Sequence, residues 1–218
     1  MIYTFNGGAA WARAAFTVAG RARAPAPTSI FADEAGVLYV GTQDGGAYVC
    51  TDTVHLCDGS GGSGKWTPWG LNAASGPDAS PRMITAIAES NPPSAPRTFW
   101  MATSQGLYRK LPGASAWTKA IGNPGYVYNE VAVDPSCRSR IYTGVGYLDP
   151  ISRSRGGIEF SANNGASWTT LTSGFDLHAV PITQIVVAPG APARVMASTY
   201  GRGSWEYNWG PALPPCAP

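Results

Sequence analysis

A tryptophan returns along this chain at near-constant spacing. Trp11, Trp66, Trp117 and Trp168 lie 55, 51 and 51 residues apart. Turn-rich sequence precedes each: TFNGGAAW (Thr4–Trp11), GSGGSGKW (Gly59–Trp66), KLPGASAW (Lys110–Trp117) and SANNGASW (Ser161–Trp168). A short run follows each: WARAAF, WTPW, WTKAI and WTTL. A fixed period of this length means that one supersecondary unit recurs, and that each unit buries its apolar face against the next.

Between the tryptophan turns lie paired apolar runs. Ser29–Ala32 is followed by Val37–Thr42, Ile84–Glu89 by Arg97–Thr103, Val131–Asp134 by Arg140–Gly144, and Ile182–Ala188 by Arg194–Thr199. A third run comes after each pair: Ala47–Cys50, Leu107–Lys110, Gly157–Phe160 and Ser204–Trp209. Short runs rich in Val, Ile, Tyr, Trp and Thr, bounded by turn residues, read as strands. The 27 Gly and 19 Pro among 218 residues are well above ordinary usage and punctuate these strands. Only 13% of residues are charged, which excludes a charge-driven disordered chain. Four strands in about 50 residues is the size of a β-propeller blade, and the expected fold is all-β, a propeller of about four four-stranded blades. A β-sandwich with irregular strands is the alternative.

The chain ends bear on closure. The last unit has three strands, then GPALPPCAP, whose prolines cannot donate to a ladder. Met1–Phe5 and Ala10–Phe16 read as the third and fourth strands of a blade. The expectation is one domain over 1–210, with blade segments at about 28–69, 82–121, 128–172 and 181–209, the last completed by 1–16. Residues 211–218 form a Pro-rich tail. The alternative is a part-ring of a larger propeller that needs a partner.

Ser161-x-Asn163-x-Gly165-x-x-Trp168 resembles the Asp-box, the S-x-D-x-G-x-x-W turn of BNR-repeat proteins. Thr4-x-Asn6-x-Gly8-x-x-Trp11 is similar, with Thr for Ser, and both carry Asn in place of Asp. The turns at Trp66 and Trp117 keep only the tryptophan. The ending STYGRGSWEY (Ser198–Tyr207) resembles the last blade of bacterial BNR-repeat, glycosyl-hydrolase-like propellers. The resemblance implies a structural role for these turns between strands three and four, away from the usual ligand face. Physically, short Asn and Ser side chains bond nearby backbone N–H groups, and Gly permits a left-handed residue.

In a propeller, the loops between strands two and three share a face with the blade-to-blade connections. Here they are Thr42–Gly46, Thr103–Gly106, the long Gly146–Gly157 and Thr199–Gly203. Candidate binding residues are Asp44, Gln105, Tyr147, Arg153, Arg155, Tyr200 and Arg202. The expected ligand is a glycan or a protein, because aromatic faces in a weakly charged rim stack on sugar rings.

The resemblance also covers sialidases and xyloglucan-degrading hydrolases, so a glycoside hydrolase is the second reading. No FRIP-type arginine motif stands near the start. Most glycosidases need two carboxylates flanking the bond. Asp44 and Asp149 form the one pair on the expected face, and both lie in turn-like sequence, QDGG and LDPI. They are weak catalytic candidates, and a non-enzymatic module is the preferred reading. A third reading is a self-assembling repeat protein whose part-rings complete one another.

The remaining motifs carry little chemistry. His55 and His178 stand in no triad or metal pattern, and GGSGK at 61–65 lacks P-loop spacing. No metal or other cofactor is expected. The net charge of +2 argues against nucleic acid, and no apolar run reaches the length of a membrane helix. Cys50 and Cys57 can close a short disulfide loop, or all four cysteines, with Cys137 and Cys216, are thiols. Low charge and many tryptophans favour an extracellular or periplasmic setting, without a clear signal peptide.

Overall fold

The computed structural model describes residues 2–3, 8–9, 12–13, 16, 18, 25–50, 57, 66–70, 83–91, 96–122, 126–147, 156–171, 180–190, 194–209 and 213–216. Every regular element among them is a β-strand. The chain divides into two compact units, Met1–Met83 and Ile84–Pro218.

The first unit opens with β1 (Ile2–Tyr3) and β2 (Ala12–Arg13), which pair with each other. A four-stranded antiparallel meander, blade 1, follows: β3 (Pro27–Ala32), β4 (Leu38–Thr42), β5 (Ala47–Cys50) and β6 (Trp66–Gly70). Its core joins Val40, Tyr48, Trp66 and the Cys50–Cys57 disulfide to Phe16 and Val18. Phe16 packs edge-on to both Tyr48 and Trp66.

The second unit holds three more meanders. Blade 2 comprises β7 (Ile84–Ser90), β8 (Thr98–Thr103), β9 (Gly106–Lys110) and β10 (Thr118–Ile121). Blade 3 comprises β11 (Tyr126–Asp134), β12 (Cys137–Tyr147), β13 (Gly157–Ser161) and β14 (Thr169–Leu171). Blade 4 comprises β15 (Ile182–Ala188), β16 (Arg194–Thr199) and β17 (Ser204–Asn208). Blade 3 is sandwiched. One face carries Tyr128, Val131, Ile141 and Val145 against Ala86, Ala88, Trp100 and Leu107 of blade 2. The other carries Tyr142, Ile158 and Phe160 against Ile182, Ile185, Val187 and Val195 of blade 4. Face-to-face stacking of whole meanders is what the repeat predicts, and the all-β expectation holds.

Two details differ from the sequence reading. The N-terminal strands were expected in the last blade, but β1 and β2 form their own two-stranded sheet, and blade 4 has three strands among the described residues. Each short N-terminal strand finds its ladder partner in the other. The segment after β17 is drawn away instead: Leu213 packs on the core between blades 3 and 4, and Cys216 is disulfide-bonded to Cys137. The second difference is that β11 starts five residues earlier than the apolar run suggests. A bulge at Asn129 shifts the register between Tyr128 and Glu130 and breaks the apolar alternation.

Candidate functional site

Three of the loops between strands two and three, those of blades 1, 2 and 4, are built on one device. The threonine ending the second strand turns its hydroxyl back across the loop to the glycine before or at the third strand. Thr42 Oγ1 donates to the Gly46 carbonyl at 2.7 Å, Thr103 Oγ1 to Gly106 at 2.8 Å, and Thr199 Oγ1 to Gly203 at 2.7 Å. The same hydroxyls accept from the backbone N–H groups of Gly45, Gln105 and Arg202. A buried or capped hydroxyl that both donates and accepts fixes a short loop, which lets the residues between display their side chains. Two of the loops are also tied to the residue just before the first strand of their own blade. Gln43 N–H donates to Ala26, and Tyr200 N–H to Pro181.

On these turns Asp44 is exposed, Gln105 half-buried, and Tyr200 and Arg202 exposed, Tyr200 to 78%. Gln105 belongs to blade 2 and Tyr200 and Arg202 to blade 4, with blade 3 between them. Asp44 belongs to the other compact unit. Tyr147 ends β12, and its side chain lies outside the described residues, as do Asp149, Arg153 and Arg155. The structure therefore brings together Tyr200 and Arg202 from the candidate set. It adds one residue that the sequence reading left as a strand residue, Trp205. This indole is 40% exposed and donates from Nε1 to the Arg202 carbonyl at 3.0 Å, so it leans onto the same turn. The available signal was an aromatic two residues past the glycine that closes the loop.

The Ser161–Trp168 turn is held by its own side chains. Ser161 Oγ accepts from the N–H groups of Asn163 and Gly165, while Asn163 Oδ1 accepts from Ser167 N–H at 2.9 Å. Gly165 has φ +77°, and a Cβ there would overlap the Trp100 ring of blade 2. Gly8, at the matching place in the N-terminal turn, has φ +94°. Thr4, Asn6 and Trp11 lie outside the described residues. Trp168 is partly buried and meets Trp100 edge-on at 5.9 Å. Asn164, an unassigned position in the turn motif, links blades: it accepts from Ser90 Oγ at 2.7 Å and donates to Thr98 Oγ1 at 3.3 Å.

Buried carboxylates sort into two kinds. Asp33 and Asp134 cap the hairpins between first and second strands. Asp33 accepts from the N–H groups of Ala35 and Val37 and from the Tyr39 hydroxyl. Asp134 accepts from Ser136 and Cys137 N–H and pairs with Arg140 at 3.2 Å. Glu130 and Glu159, both on blade 3, are governed by burial instead. Burial pushes the Glu159 carboxyl up, offset in part by a hydrogen bond from Tyr128. Burial likewise raises Glu130 to about 7, against the lowering effect of Val131 N–H, which donates to Oε1 at 3.0 Å.

Glu130 gives a pH prediction. In the unfolded chain its carboxyl ionises near 4.5, whereas in the fold it keeps its proton to about 7. The folded state thus binds the extra proton in that window, and stability falls as pH rises from 4.5 to 7, then levels. Partial exposure to water trims the effect to about 1–2 kcal/mol. Urea titrations between pH 5 and 8 are expected to show this decline, and Glu130→Gln is expected to flatten it and to raise stability at pH 8. Equal pH slopes for both proteins would remove Glu130 as the cause.

No family model matches the chain, and no curated protein matches it in sequence. Solved structures do match. An ancestral GH74 enzyme superposes with TM-score 0.62 at 18% identity, over 84% of this chain and 22% of that chain. The GH74 enzyme of Niastella koreensis gives TM-score 0.56 at 17% identity, over 84% and 28%. The extracellular domain assigned to a one-component system of B. thetaiotaomicron gives 0.56 at 14% identity, over 83% and 21%. The chain thus spans between a fifth and just over a quarter of the length of these structures. At such identities the likeness concerns the fold, and the chain is an all-β protein built from propeller-type blades.

Proposed function

We propose that the chain is a binding module of the BNR-repeat, Asp-box type that recognises a glycan through the Thr199–Gly203 turn of blade 4. The observation that carries this reading is the exposure of Tyr200 and Trp205 around Arg202, on a turn locked by the Thr199 hydroxyl. Apolar aromatic faces stack on the C–H faces of sugar rings, and a guanidinium beside them donates to ring hydroxyls or a carboxylate. Gln105 of blade 2 and the Gly146–Gly157 loop of blade 3 are the further contacts. The two disulfides support an oxidising, extracytoplasmic setting.

The likeness to GH74 enzymes favours one second reading, a relative of a glycoside hydrolase, with Asp44 and Asp149 as its carboxylates. One experiment separates the two. Binding is measured on a panel of soluble xyloglucan, mixed-linkage β-glucan and sialylated glycans, with release of reducing ends followed in parallel. A binder gives saturable affinity without turnover, and Tyr200→Ala or Trp205→Ala weakens it by about tenfold, the worth of one stacked ring. Turnover abolished by Asp149→Asn or Asp44→Asn would replace this reading with the hydrolase. No binding on the panel would remove the glycan.

A further inference from the structure

The four first strands share a construction. In each, one residue bulges from the ladder formed with the second strand: Thr28, Thr85, Asn129 and Thr183. Thr85 Oγ1 donates to the Tyr128 carbonyl at 2.5 Å, and Asn129 Nδ2 to the Ile182 carbonyl at 2.8 Å. Both acceptors immediately precede the bulge of the following blade. The bulged side chain therefore reaches forward and joins one blade to the next. Thr183 holds the same place on β15 and is exposed.

The positions beyond the bulge tell the same story by burial. Two residues on stand Ile30, Ile87, Val131 and Ile185, exposed to 56%, 8%, 3% and 5%. Val131 and Ile185 sit in the cores shared with the preceding blade. Three residues on, Ala88 and Ala132 sit in the cores shared with the following blade. Val186, their equivalent on β15, is 46% exposed, and so is its cross-strand neighbour Met196, to 44%. Arg194 and Glu206, paired at 3.6 Å, flank Met196 on this face. On blade 1, Phe16 and Val18 cover Tyr48 and Trp66, but that cover stops short of Ile30. Blade 4 thus shows the forward half of a blade-to-blade interface, and blade 1 shows the backward half.

We infer that the Val186–Met196 face of blade 4 receives the Ile30 face of blade 1 from a second copy of this chain. The assignment continues an interface that the chain already makes twice. In it the Thr183 hydroxyl donates to the Pro27 carbonyl of the second copy, the residue before the Thr28 bulge. The contact has an apolar centre and a charged rim, the usual anatomy of a protein interface. It joins two different faces, so the association is head-to-tail, closing into a ring or running on.

Sedimentation velocity on the whole chain tests this. The wild type is expected to sediment at twice 22.7 kDa or more at concentrations on the order of 100 µM. Ile30→Asp and Val186→Asp each charge one exposed face and leave the cores intact, and each protein alone is expected to lose association at least tenfold. A one-to-one mixture retains one intact pair of faces, so it is expected to form a dimer and nothing larger. Thr183→Val is expected to weaken association about 3–10-fold, by loss of one hydrogen bond. A wild type that stays monomeric overturns the proposal. So does a mixture that stays monomeric, or association lost in Val186→Asp but kept in Ile30→Asp, which would mean a face paired with itself.

Discussion

Trp100→Ala is expected to cost about 3–5 kcal/mol of stability, near the most that a single core truncation removes. The indole is fully buried on β8 and lies in the core between blades 2 and 3. Its Nε1 donates to Ser90 Oγ at 2.8 Å, and that hydroxyl donates in turn to Asn164 Oδ1 of blade 3. Gly165 packs directly beneath the ring, and Trp168 meets it edge-on. Truncation opens a cavity, removes an aromatic contact and strips Ser90 of a donor, so transfer and cavity costs add. Gly165→Val attacks the same joint from the other side. It places a branched side chain at φ +77° against the ring. Urea denaturation followed by tryptophan-independent circular dichroism checks both variants. A Trp100→Ala protein within about 1 kcal/mol of the wild type would show that this joint is not what holds blades 2 and 3 together.

That joint marks where the sequence is legible and where it is not. The regular tryptophans announce the repeat because each closes a turn-rich stretch and they stand 55, 51 and 51 residues apart. Yet the buried inter-blade anchor is Trp100, which lies inside an apolar run where nothing local distinguishes it from Phe99 or Met101. Strand positions in blades 1, 2 and 4 follow from β-branched and aromatic runs bounded by Gly and Pro. The start of β11 does not, because Asn129 is spent on a bulge and Glu130 is a half-buried carboxyl, so two polar residues separate Tyr126–Tyr128 from the apolar run at Val131. Tyr200 and Arg202 were legible as loop residues between glycines. Their pairing with Trp205 depends on an indole N–H reaching a backbone carbonyl, which no spacing rule encodes. The threonines that lock the loops, Thr42, Thr103 and Thr199, precede the closing glycine by three or four residues. That interval is readable once the back-bonding geometry is known, but composition alone treats them as ordinary strand ends.

Opening the Cys137–Cys216 bridge is the second large effect expected. The two cysteines are 79 residues apart in sequence, so the cross-link removes much of the freedom of the unfolded chain. Chain-entropy reasoning puts its worth at about 4.5 kcal/mol, against about 2.5 kcal/mol for Cys50–Cys57, which are seven apart. The longer bridge also seats the tail. With Cys216 held, the Pro214 carbonyl accepts from Arg140 Nη2 at 2.6 Å, while Nη1 of the same guanidinium holds Asp134 under the hairpin. Leu213 then covers the core between blades 3 and 4. Cys216→Ser is therefore expected to destabilise the second compact unit more than Cys57→Ser destabilises the first. Partial reduction should release the tail before the blades unfold, because its described residues, 213–216, stand in no strand ladder. Equilibrium urea curves of the two serine variants test the order. Hydrogen exchange at Arg140 and Ile141 tests the mechanism, since a free tail uncovers the β11–β12 hairpin. If both variants lose the same amount, and exchange near Arg140 is unchanged, the stabilisation comes from neither the long loop nor the seated tail.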